Sequence, residues 1–240
     1  IGAWDKPDLG EGFSINDYEQ VNEYAGTGSG AGCYCESCAA CDHAMLAWRM
    51  ARIRGGGDSV DELERIMYNQ VAHGWSADGT HSYYQNPLTH ENTPRYDAWV
   101  CCPPNLLQTI AGVARYIYGC KNNDMWINLF IASDTTIHID NGNVPVSLRT
   151  NSYPWDGRVT ITVTPASPVT FTMRIRMPGW CRNSLLRVNG KIIIKPTIAN
   201  QYIVINRTWS SGDQVVFTMA MPPMRVEAHP SVAADVGRVC

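Results

Sequence analysis

Near residue 120 the spacing of apolar residues changes from three-and-four to two, which divides the 240-residue chain into a helical part and a strand part. Ahead of the switch, residues 37–53 carry Met45, Leu46, Trp48, Met50 and Ile53 at mixed three- and four-residue spacings, and Gly55-Gly56-Gly57 closes that segment. A second helix is expected from Asp58 or Ser59, with Asp61, Glu62 and Glu64 near its positive end. Its apolar stripe reads Val60, Leu63, Ile66, Met67 and Val71. A third is expected from Pro103 to about Tyr118, with a proline in the first turn, where a missing N–H costs little. Its apolar set is Leu106, Leu107, Ile110, Val113, Ala114 and Ile117.

Beyond Asn123, residues 126–131, 136–139, 159–163, 171–177, 185–188, 191–194, 202–205 and 214–219 alternate as strands do. Turn signals at Asn141-Gly142, Asn189-Gly190 and Ser211-Gly212-Asp213 separate several of them. Many short strands at this spacing indicate an antiparallel sandwich or barrel. The expected class is α+β and multidomain, with a helical region over 1–123 and a β domain over 124–240.

A formal net charge of −3 and the lack of any Lys/Arg block argue against a nucleic-acid partner, which would require a basic face. No apolar run reaches the length of a membrane span. The N-terminus lacks Met, a basic leader and an apolar core segment, and the last residues stop inside a strand-like pattern. Both ends read as those of a piece of a longer chain, so the compartment and the oligomeric state are left open.

The cysteines carry the chemistry. There are nine: Cys33, Cys35, Cys38, Cys41, Cys101, Cys102, Cys120, Cys181 and Cys240. An odd count argues against a complete disulfide framework, and the clustering suits metal or thiolate chemistry better than stapling. Glu36-Ser37-Cys38 and Cys101-Cys102 each precede an expected helix, and the positive end of a helix favours a thiolate. Three thiolates and a carboxylate make a four-coordinate zinc site. Two other readings stand beside it. Cys35-x-x-Cys38 and Cys38-x-x-Cys41 suggest a zinc ribbon, although the two knuckles share Cys38; alternatively the cysteines are buried and act as small hydrophobes. Spacing does not choose among the three.

Glu11, between Gly10 and Gly12 and beside Phe13, is either an exposed loop glutamate or a carboxyl whose apolar surroundings fit it for general-acid work. The stretch His81–Leu88, with Tyr83, Tyr84, Gln85 and Asn86, is either a sugar-lining segment or a strand edge with core tyrosines. The Gly-rich residues 26–32 lack the Lys-Ser or Lys-Thr of a phosphate loop and read as a surface loop. His43, His73, His90 and His229 have no metal-ligand spacing.

Taken in order, Gly10-Glu11-Gly12-Phe13, Cys35-Glu36-Ser37-Cys38-Ala39, Tyr84-Gln85-Asn86-Pro87-Leu88, Trp99-Val100-Cys101-Cys102-Pro103-Pro104-Asn105 and Met177-Pro178-Gly179-Trp180-Cys181 resemble the zinc-dependent retaining β-L-arabinofuranosidases of glycoside hydrolase family 127. The resemblance covers essentially the whole chain. It implies the C-terminal part of an (α/α)6 barrel followed by an antiparallel β-sandwich. It implies Zn2+ held by Glu36, Cys38, Cys101 and Cys102, with Cys101 as nucleophile, Glu11 as acid and then base, and Tyr84 near the nucleophile. The implied partner is a carbohydrate, an arabinose-containing plant glycan, with no nucleic acid and no membrane. A non-catalytic module with a structural zinc, and a hydrolase acting on another sugar, are the alternatives. The stretch between Glu11 and Glu36 is longer than the family pattern, with residues 26–32 inserted. The family's upstream barrel helices and their sugar-binding histidines have no counterpart in these residues. The isolated chain is therefore expected to expose apolar helix faces and to be poorly soluble or inactive.

Overall fold

The computed structural model describes residues 36–84, 101–194, 201–227, 229–231 and 237. By internal contacts they fall into two units, one holding residues 36–46, 65–84 and 101–111 with those described from Pro223 onward, the other 47–64 and 112–222. The chain is of the mixed α+β class, with helices preceding two sheets.

Helix α1 spans Ser37–Arg54 and contains five alanines with no glycine or proline, a composition that favours the helix throughout. Its buried residues include Ala40, Ala44, Ala47 and Ala51, at the four-three-four spacing of one helix face. The larger residues picked out by the sequence are only partly used, because Leu46 and Ile53 fall on the opposite side and are exposed. Gly55 ends the helix at φ +71°, its N–H donating to the Ala51 carbonyl at 2.8 Å; that conformation suits glycine. Helix α2 spans Asp58–Ile66 and buries Val60, Leu63 and Ile66, as their periodicity requires. The same stripe reaches Val71, but through a π turn at Met67–Val71, which a 3-10 turn at Ala72–Gly74 follows.

Helix α3 covers Cys102–Ala111, and the short α4 covers Ala114–Ile117. The sequence suggests a single helix to Tyr118. It is interrupted by a turn at Gly112 and Val113, where glycine is the weak helix former, and Tyr118 already belongs to a strand.

Among the described residues ten strands follow: β1 Tyr118–Lys121, β2 Asp124–Ile127, β3 Ser133–Ile139, β4 Gly142–Thr150, β5 Arg158–Val163, β6 Val169–Met177, β7 Ser184–Val188, β8 Lys191–Ile194, β9 Gln201–Trp209 and β10 Asp213–Met219. They form a four-stranded sheet in the order β1-β2-β6-β9 and a six-stranded sheet in the order β3-β4-β5-β10-β7-β8. Alternation buries Val159, Ile161 and Val163 of β5 and Val215, Phe217 and Met219 of β10. These join Met173, Ile175 and Trp209 from the smaller sheet in one hydrophobic cluster. All pairs are antiparallel except β2 with β6, and that pair is joined through three intervening strands, the long connection a parallel pair needs. Asn189 and Gly190 turn β7 into β8 with φ of 49° and 80°, the positive pair that a tight hairpin demands. Within β4, Pro145 accepts from Thr164 N–H on the side where β5 has just ended, so its missing donor breaks no ladder bond there.

One buried charge cluster ties α2 to this strand region. Arg176 of β6 is fully buried and pairs with Asp61 and with Glu64, the latter at 2.6 Å. Its Nε donates to the Asn128 carbonyl at 2.6 Å, and its guanidinium lies 5.3 Å from the centre of the Phe130 ring. Asp61 also accepts the Gly179 N–H at 2.8 Å, and Glu64 accepts from the Tyr153 hydroxyl at 2.7 Å and the Trp180 indole at 3.2 Å. Buried charge is tolerated because nearly every lone pair and N–H has a partner.

Candidate metal centre

The centre is assembled at the starts of two helices. Glu36 forms a bridge residue immediately before α1, and Cys38 lies in the first turn of α1. Cys101 sits in the turn before α3, and Cys102 is its first residue. Pro103 and Pro104 follow in the first turn, where a helix has spare N–H positions, so they fix the backbone beside the vicinal cysteines without losing a bond. Both helices turn the positive end of their dipoles to this region, which favours anionic ligands.

Local bonds hold the entry to α1. The Ser37 N–H donates to the Tyr84 carbonyl at 2.9 Å, and its hydroxyl donates to the Tyr83 carbonyl at 2.5 Å. Tyr83 N–H in turn donates to the Gly74 carbonyl at 2.8 Å. A side chain at Gly74 would place its Cβ 2.8 Å from Leu106 of α3 and 3.5 Å from the Ser37 hydroxyl, so only glycine allows this approach. Segment 82–84 is thereby strapped beside the two ligands that flank Ser37.

The donor atoms of Glu36, Cys38, Cys101 and Cys102 all lie within 4.8 Å of one another, and among the described residues they are the one such group. Cys38 Sγ is 3.3 Å from Cys102 Sγ, and Cys101 Sγ is 3.9 Å from Cys102 Sγ. Glu36 Oε1 is 3.7 Å from Cys101 Sγ and 3.6 Å from Cys102 Sγ. A tetrahedral ion with bonds of about 2.3 Å separates its ligands by about 3.8 Å. These four spacings, from 3.3 to 3.9 Å, bracket that value. Burial pushes the Cys38 thiol up to about 12 and raises Cys102 as well, where the adjoining Cys38 and the Glu36 charge add to the effect. Such a packed set of acidic donors calls for a cation, and the cluster could hold a metal ion.

The three sulfurs differ in access. Cys102 is fully buried and Cys38 nearly so, whereas Cys101 is exposed. Cys41, the third cysteine of the ribbon alternative, is buried and stands outside the four-donor group. Tyr84 is brought near by its backbone bond to Ser37. Glu11, the Gly-rich residues 26–32, Cys35 and the segment Gln85–Leu88 lie outside the described residues. One contact escaped the sequence reading: the Asn105 side-chain amide donates to Cys38 Sγ at 3.2 Å. Its place three residues after Cys102 was the available signal, because that interval is one helical turn.

The chain is similar to known proteins along both its helical and its strand part. Residues 11–115 match the β-L-arabinofuranosidase GH127 catalytic domain, and residues 124–221 match the β-L-arabinofuranosidase GH127 middle domain. A non-reducing end β-L-arabinofuranosidase from Bifidobacterium longum subsp. longum is 33% identical over 99% of this chain, which spans 37% of that protein. The crystal structure of a GH127 β-L-arabinofuranosidase from Geobacillus stearothermophilus superposes with a TM-score of 0.85 at 34% identity, covering 99% of this chain and 38% of the other. A further GH127 β-arabinofuranosidase structure gives a TM-score of 0.83 at 30% identity over 93% of this chain and 37% of its own.

Proposed function

Because the chain belongs to glycoside hydrolase family 127, we propose that it carries the nucleophile and metal centre of a retaining glycosidase that releases β-L-arabinofuranose. The observation that carries this reading is one exposed thiol, Cys101, within a set of four donors at tetrahedral spacing. Residues 1–123 are assigned to the closing part of an (α/α)6 barrel, and residues 124–240, which carry β2 to β10, to a β-sandwich.

Glu36, Cys38, Cys101 and Cys102 are assigned as zinc ligands, since three soft sulfurs and one carboxylate in a tetrahedron suit that ion. Zinc, when bound, keeps the thiols deprotonated at neutral pH. Cys101 Sγ attacks the anomeric carbon as the bond to the leaving oxygen breaks, and Glu11 gives that oxygen its proton. Glu11 then takes a proton from water, whose oxygen attacks the same carbon and expels the Cys101 thiolate. Two inversions at one carbon retain its configuration. The burial of Cys38 and Cys102 keeps both sulfurs from the sugar. Tyr84 is assigned to substrate binding, beside the entry to α1. The substrate is a terminal arabinofuranoside of a plant-derived glycan.

In a protein that joins this chain to the rest of the barrel, hydrolysis of an aryl β-L-arabinofuranoside should be lost when metal is stripped by a strong chelator and return when one equivalent of zinc is restored. A joined protein that binds the zinc and hydrolyses no arabinofuranoside would instead have a structural metal.

A further inference from the structure

The Asn105 amide has no place in the reaction just described, yet its Nδ2 lies 3.2 Å from Cys38 Sγ. We propose that Asn105 is a positioning residue of the metal centre, holding the Cys38 sulfur in place and making it unlike that of Cys101. This inference rests on the proposed metal centre.

Asn105 stands on α3 three residues beyond Cys102, so its side chain rises from the same helix face as that ligand. Cys38 belongs to α1. The amide therefore fastens a ligand from one helix to the helix that opens at the other two thiols. An N–H donated to a thiolate is a charge-assisted bond, and partners behind the ligands orient them and tune their donor strength. On Cys38 the bond also draws charge from the sulfur and occupies one lone-pair direction. Cys101 is approached by Glu36 Oε1 at 3.7 Å and by Cys102 Sγ at 3.9 Å, and it remains exposed. One sulfur is held and muted while another is left to meet the sugar.

Cobalt(II) substitution tests this without relying on turnover. Asn105→Leu removes the donor, and Asn105→Asp keeps the shape while turning a carboxylate toward the thiolate. Chelator competition should show roughly 10–100-fold weaker metal binding in Asn105→Leu and a larger loss in Asn105→Asp. The sulfur-to-cobalt charge-transfer band of Asn105→Leu should move to lower energy, because a sulfur without the N–H gives up charge more readily. A residue that only packs would change thermal stability and leave the band where it is. Should Asn105→Leu fail to fold, the near-isosteric Asn105→Asp carries the test alone. Affinity within about twofold of the unsubstituted protein, with the band unmoved, overturns the role of Asn105 and leaves the metal centre standing. Unsubstituted protein that takes up neither cobalt nor zinc overturns the metal centre and this role with it.

Discussion

Replacing Cys101 with alanine, in a protein that joins this chain to the rest of its barrel, is expected to lower turnover of an aryl β-L-arabinofuranoside by at least ~10^4-fold, because the substitution removes the attacking atom itself. The companion substitution Cys102→Ala separates nucleophile from ligand. Cys102 is fully buried and only holds metal in this scheme, so its loss should weaken zinc binding and be partly offset by excess zinc. Excess zinc should do nothing for Cys101→Ala. Steady-state kinetics of both variants across a zinc titration provide the check. Restoration of Cys101→Ala by zinc would reduce Cys101 to a ligand.

The second large effect lies away from the centre. Arg176→Met should destabilise the unit formed by residues 47–64 and 112–222 by about 3–5 kcal/mol, because the Asp61 and Glu64 carboxylates would be left buried without their cation. For a unit of this size the midpoint of thermal unfolding should fall by ~10 °C. The deficit should depend on pH in a definite direction. Burial already raises the Asp61 carboxyl against the pull of Arg176, and removing the arginine raises it further. A carboxyl raised in the folded state costs stability above that raised value and is relieved as pH falls through it, so the deficit should shrink toward about pH 4. Combining Arg176→Met with Asp61→Asn and Glu64→Gln should recover much of the loss, since no charge then remains buried. Calorimetry at neutral and acidic pH distinguishes these cases.

Periodicity revealed elements whose faces meet one environment. The stripe of α2 and the alternating strands β5 and β10 are buried as their patterns require. It misjudged α1, because large side chains drew the eye while the alanines kept the helical spacing and took the buried face. It also ran α3 through Gly112 into β1, since four-residue elements are too short to show a period. Arg176 illustrates a deeper limit. Alternation in β6 sets it opposite Ile175, where an arginine normally faces water, and its carboxylate partners lie 112 and 115 residues earlier in the chain. No local pattern reports such a pairing.

At the candidate centre, the sequence held the four ligands in recognisable motifs but not their convergence. Glu36 and Cys38 come together with Cys101 and Cys102 because two helices start at one place, and a start is marked by prolines and polar residues, not by spacing. The difference between the vicinal sulfurs shows in burial: Cys101 is exposed and Cys102 is not. The Asn105 contact depends on the same convergence and has no signature of its own beyond one turn of helix.

Quenching the Glu11→Gln variant of the barrel-completed protein during reaction with an activated aryl β-L-arabinofuranoside, followed by peptide mass analysis, tests the assignment most directly. An activated leaving group needs little help from an acid, whereas the second step still needs a base, so a glycosyl-enzyme should accumulate in this variant. The expected result is one dehydrated pentose added to the peptide containing Cys101, on that sulfur. The same adduct on a carboxylate or on another cysteine, or free sugar released in a burst with no adduct, would contradict it.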